Sequence, residues 1–267
     1  MRKKATIIPL LILFISSAFI WPRKKTTLPP GTFEVRENFY SDKEVITNFA
    51  WLEYTTWLKS VFGEESLEYK NAQPNIDVWG EEFICLLQLR KTYNNAVNYK
   101  DYPVVGVSQN QAKAYLKWRS DRVMEYFLIR KNVIKRNKEV NAENYFTIEK
   151  YFAGKYFNKV PHKFYNMYPV YSLPTVEQHE ELNTIHSTYG NEEVESPCYF
   201  DSLKQVPLKA TTNSINFADA LSEWTKEDNS VYGKNWRKTD KEGVWESKKA
   251  TNYIGFRAVC TWKVQKD

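Results

Sequence analysis

The stretch Pro103–Arg119, PVVGVSQNQAKAYLKWR, changes conformational rule within a few residues. Val104, Val105 and Val107 form an apolar run around Gly106, and a helix begins after them. Ser108 offers a hydroxyl to cap the first free amides of that helix. Its apolar positions, Ala112, Leu116, Val123, Phe127 and Ile134, follow at intervals of four, seven, four and seven. That spacing keeps one stripe on one face and predicts a helix running past residue 130.

Outward from this helix, the same start signature recurs on both sides. Ser41-Asp42-Lys43-Glu44 has the form of a capping box, and Val45, Phe49, Leu52 and Thr56 follow at helical spacing. Thr175-Val176-Glu177-Gln178 repeats it later in the chain. Thr32–Val35 and Tyr253–Lys263 read as strands, and Gly190–Glu193, Asp228-Asn229 and Lys241-Glu242-Gly243 as turns. Few helices, short strands and long loops make an α+β chain. Residues 127–168 are rich in Tyr, Phe, Lys and Asn and separate the long helix from the next helix start. Their aromatic content predicts that they pack onto something, as a partly helical insertion that offers a partner surface.

With 267 residues, nine Trp, 18 Tyr and 15 Phe, the chain has enough apolar bulk for a folded core. Its net charge of +6 is modest. The basic run from Arg130 includes Lys131, Lys135, Arg136 and Lys138. Two readings stand: the solvated end of the long helix, where cations suit the helix dipole, which is favoured, or a surface for nucleic acid or acidic lipid heads. No nucleic acid is expected. Arg2, Lys3 and Lys4 precede an apolar run from Ala5 to Trp21, the layout of a secretory signal or an uncleaved anchor. Residues 1–21 are therefore expected to be a signal peptide or membrane anchor, 22–30 a linker, and 31–265 an exported domain, in the periplasm or anchored facing it. Of three cysteines, Cys85 sits in an apolar run and reads as buried; a bridge, if one forms, joins Cys198 to Cys260.

Five segments, in order, carry a resemblance. They are Pro29–Tyr54, Pro103–Arg119, SLPTVEQHEEL (Ser172–Leu182), ALSEWT (Ala220–Thr225) and IGFRAVC (Ile254–Cys260). Together they resemble the formylglycine-generating enzyme, or sulfatase-modifying factor, family. The resemblance implies a C-type-lectin-like variant of the α+β class. It also implies a cleft beside Glu223, Trp224, Trp236 and Arg257, although both indoles can equally be core residues. In Gly255-Phe256-Arg257 the glycine allows close approach, Phe fills the core and Arg hydrogen-bonds nearby carbonyls.

That family's copper-binding cysteine pair lies between a turn matching Tyr232–Trp236 and the final strand. Residues 237–253 contain no cysteine. His179 and His186, seven apart, are too distant to grip one ion from an unbroken helix and read as exposed polar surface. The resemblance thus implies a degenerate, non-catalytic member with no cofactor, though a structural calcium is compatible with its loops. Members of that kind serve as envelope components in gliding motility and type IX secretion, with envelope-protein partners. The rival readings are a divergent metal-dependent oxidoreductase and a stand-alone peptide- or glycan-binding module.

Overall fold

Gly106 is the pivot of the Pro103–Arg119 stretch. The computed structural model describes residues 27–80, 89–94, 97–158, 160–186, 221–235 and 243–265. In it Val104, Val105 and Val107 are at most 1 % exposed. Gly106 has φ +75°, and a Cβ there would stand 2.5 Å from the Asn75 carbonyl oxygen, so glycine is required twice over. Ser108 then accepts from Gln111 N while the Gln111 side chain accepts from Ser108 N, a complete capping box.

In chain order the strands are β1 (Thr32–Arg36), β2 (Phe39–Asp42), β3 (Met167–Ser172), β4 (Ser222–Trp224), β5 (Ser230–Tyr232), β6 (Val244–Glu246), β7 (Ile254–Gly255) and β8 (Val259–Val264). The helices are α1 (Asn48–Phe62), α2 (Leu67–Asn71), α3 (Leu89–Thr92), α4 (Gln109–Arg130), α5 (Ile148–Phe152) and α6 (Val176–His186). The class is α+β, with two small sheets. One is antiparallel in the order β1-β2-β8-β3; the other runs β6-β5-β4-β7, with β4 and β7 parallel. α1 and α4 share the main core with these strands. Trp51 stacks on Tyr115 at 5.5 Å, and Phe256 meets both rings edge-on.

Two helix boundaries differ from expectation. α1 is capped by Thr47, whose hydroxyl accepts from Ala50 N, and not by Ser41. Ser41 and Asp42 belong to β2, where Asp42 takes two hydrogen bonds from Arg119, at 2.6 and 2.7 Å. A tertiary ion pair thus removes the residue that would have opened the helix. The buried face of α1 shifts accordingly to Trp51, Tyr54, Leu58 and Val61, leaving Phe49 and Leu52 half exposed.

α4 stops at Arg130 although apolar spacing continues to Ile134. Asn132 adopts φ +55°, Asn132 N donates to Ile129 O, and Val133 N donates to Leu128 O. This is a Schellman motif with asparagine in the left-handed position. The basic run is therefore a loop beyond the helix, not its solvated end. The buried row along α4 is Ala112, Leu116, Ser120, Met124 and Leu128, with Val123 and Phe127 only half buried. Ser120 escapes an apolar count because it is polar, yet it is buried and satisfied: it donates to Leu116 O and accepts from Tyr171 N.

The 127–168 segment does pack. Ile134, Phe146, Tyr151 and Tyr156 form a satellite core against Met124 and Leu128 of α4. Cys260 is a free buried thiol in β8, between Tyr40 and Tyr171 of the flanking strands. Burial pushes it up to about 12. The expected bridge partner of Cys260, Cys198, falls in a stretch that the structure does not describe, as does Cys85.

Candidate functional site

The expected cleft residues Glu223 and Arg257 are brought together, but in a closed place. Glu223 is in β4, and Arg257 lies between β7 and β8. Arg257 Nε donates to Glu223 Oε2 at 2.7 Å and Nη2 to Oε1 at 2.6 Å, with both residues about 95 % buried. The guanidinium fork therefore grips a carboxylate. Gly255 packs closely, since a Cβ there would sit 3.3 Å from Leu221 Cδ1. Phe256 fills the core as expected.

His179 completes this cluster, against the expectation of an exposed helix surface. It is 4 % exposed and stacks on Tyr232 at 5.0 Å and 6°. Burial lowers its pKa to about 4; Arg257 pushes the same way, while Glu223 and a backbone hydrogen bond to Trp224 oppose. The imidazole is thus neutral at neutral pH. His179, Leu182, Asn183, Tyr232, Glu223 and Arg257 surround a cavity of about 10 Å³, room for one water at most. Trp224 is 1 % exposed and donates from Nε1 to Val107 O at 3.0 Å, which makes it a core residue that ties β4 to the Pro103–Arg119 stretch. Trp236 lies outside the described residues, as does the His186 side chain.

Among the described residues, open space lies elsewhere. A groove of about 830 Å³ runs between α4, α5 and β3. Leu116, Ile148, Phe152, Val170 and Leu173 line it with apolar surface, and Lys113, Lys117 and Lys226 contribute cations. Lys113 pairs with Asp228 and Lys117 with Glu149, each at 2.9 Å; Lys113 is partly buried and the other three side chains are largely exposed. Asp121 is a buried acidic group of the groove. Its Oδ1 accepts from Ile148 N at 2.8 Å and so straps the start of α5 to α4. Burial raises its pKa to about 6, with the Ile148 amide, Arg122 and Lys117 pulling the other way.

One groove wall is β3, the edge strand of its sheet. Met167, Pro169 and Tyr171 direct their backbone groups away from β8. Pro169 has no amide hydrogen, and Tyr171 N is occupied by Ser120 Oγ. This edge therefore resists strand addition. Sequence reasoning placed a partner surface in 127–168, which supplies α5, but missed the groove. Its walls come from three separated segments. Among the described residues no cluster of three His, Cys, Asp or Glu is placed to hold a metal ion. No protein-family model, curated protein or solved structure matches this chain.

Proposed function

We propose that this chain is an exported, non-catalytic protein of the sulfatase-modifying-factor type that serves as a binding or scaffold subunit of a bacterial cell-envelope assembly. In this reading the groove between α4, α5 and β3 receives its protein partner. The observation that carries it is the contrast in room. The Glu223–Arg257–His179 cluster encloses about 10 Å³, whereas the groove offers about 830 Å³, the size range of ligand clefts. A buried bidentate pair beside a neutral imidazole supports a role in holding elements together. The blocked edge of β3 means that the partner is recognised through side chains on an apolar floor, not by extension of the sheet. Assignment to gliding motility or type IX secretion rests on the sequence resemblance alone.

Photocrosslinking in the native envelope tests the reading. A photoreactive residue replacing Phe152 should yield one near-stoichiometric adduct with an envelope protein. The same residue replacing Leu52, half exposed on α1, should not. Equal adducts from both positions, or none from Phe152, would overturn it, and tightly held copper or iron in the purified chain would favour the oxidoreductase alternative.

A further inference from the structure

The outer side of the 127–168 segment has properties that the groove does not use. Residues 127–168 carry nine Lys and Arg against three Glu, a net +6 equal to that of the whole chain. The remaining residues therefore balance, and the positive charge of the protein is concentrated in one element. Lys135, Arg136 and Lys138 are exposed and, with Tyr156 and Phe157, line a hollow of about 180 Å³. Their loop is rooted by the Schellman motif at Asn132, so these cations are presented by an ordered turn.

Apolar side chains stand out in solvent on the same segment. Phe157 is 51 % exposed, Val160 88 % and Phe164 74 %. Phe157 and Asn158 both have φ near +50°, a conformation that costs free energy for a bulky residue. It turns Phe157 outward while its neighbour Tyr156 is buried in the satellite core. Lys163 Nζ lies 5.0 Å above the Phe164 ring. Aromatic and aliphatic side chains interleaved with lysines match the boundary of an anionic bilayer, where rings enter the headgroup layer and cations meet phosphates.

The start of the described chain lies nearby. Trp262 Nε1 donates to Thr27 O at 3.1 Å, and the Trp262 ring contacts Phe127, in the last turn of α4, at 5.5 Å. The basic loop leaves α4 four residues later. Thr27 follows Trp21, the end of the apolar run, by six residues, which reach about 20 Å at most. If that run is membrane-inserted, as read from sequence, it delivers this end of α4 to the bilayer.

We infer that the 127–168 segment is a membrane-docking face that binds an anionic phospholipid surface, with the Lys135–Arg136–Lys138 hollow seating a headgroup phosphate. This inference uses the anchor reading of the N-terminal run but not the groove, so the two proposals fail separately.

The test uses the full chain and vesicles of phosphatidylcholine with or without phosphatidylglycerol. An environment-sensitive fluorophore on Phe164→Cys should shift to the blue and be quenched by brominated lipid when phosphatidylglycerol is present. The same probe on Leu52→Cys should not respond. Lys135→Gln, Arg136→Gln and Lys138→Gln together should weaken the phosphatidylglycerol-dependent response about a hundredfold, with an unchanged melting profile, since all three side chains are exposed. Added salt should weaken the wild-type response similarly in kind. Equal quenching at both probe positions, or an unaffected triple variant, would overturn the inference. So would displacement by inorganic phosphate without any quenching at position 164, which would indicate a free-phosphate site, and protein-dependent protection of position 164 in place of lipid quenching.

Discussion

Two ion pairs of the same chemistry sit in opposite surroundings. Arg257–Glu223 is a bidentate pair with both partners about 95 % buried. Lys117–Glu149, at the groove, joins its charges at 2.9 Å with side chains 63 % and 72 % exposed. Distance barely separates them; solvent does. In the buried pair each charge has lost its hydration, so removing one takes the bidentate partner from a buried charge. In the exposed pair water replaces whichever charge is lost. The Glu223–Arg257 cluster is thus closed around its polar groups, and the groove rim keeps its own solvated.

The largest expected effect breaks the closed side. Glu223→Ala should cost about 3–5 kcal/mol, read by chemical denaturation, and replacing Glu223 and Arg257 together by Met and Leu should restore much of it. A loss below about 1 kcal/mol for the single change would mean that water reaches Arg257 and that the cluster is not closed.

A second experiment sets the two regions against each other through pH. The folded-state pKa of His179 is depressed from 6.5 to about 4. Its contribution is therefore present above 6.5 and lost as pH falls towards 4, by about 3 kcal/mol. Asp121 is raised from 3.8 to about 6. Its contribution is present below 3.8 and lost as pH rises through 6, by a similar amount. The two oppose each other in the same window, so the intact protein should show little net change between pH 6.5 and 4 from this pair. Asp121→Asn should uncover a loss on acidification, and His179→Gln a gain. Denaturation curves for both variants at the two pH values check the signs; if both keep the wild-type profile, neither group is buried as described.

The smallest effect sharpens the contrast. Lys117→Met should change stability by no more than about 0.5–1 kcal/mol, and less at high salt. A thermal shift comparable to that of Glu223→Ala would show that the groove rim is part of the scaffold, not a solvated rim.

Local signals were legible where a few neighbouring residues decide the outcome. The Ser108 and Thr175 caps and the strand at Thr32 follow from side chains within a turn or two, whereas the one strand expected over Tyr253–Lys263 is two, β7 and β8, in different sheets. The misread features have distant partners. Ser41-Asp42 has the same pattern as a true cap, but Arg119, 77 residues away, holds Asp42 in a strand. His179 looks like any polar helix residue until Tyr232 stacks on it. Ser120 looks like a break in an apolar stripe until Tyr171 N donates to it. The helix stop at Asn132 was local and readable, but the continuing apolar spacing to Ile134 concealed it.

By itself, then, the amino-acid sequence determined the class of fold, the main helix starts and the concentration of positive charge, because capping, turn geometry and net charge depend on residue identity and short spacing. Tertiary structure alone decided which charges are buried. Glu223 meets Arg257 across 34 residues and Asp121 reaches Ile148 across 27. Desolvation depends on what covers a group in space, and no spacing along the chain encodes that.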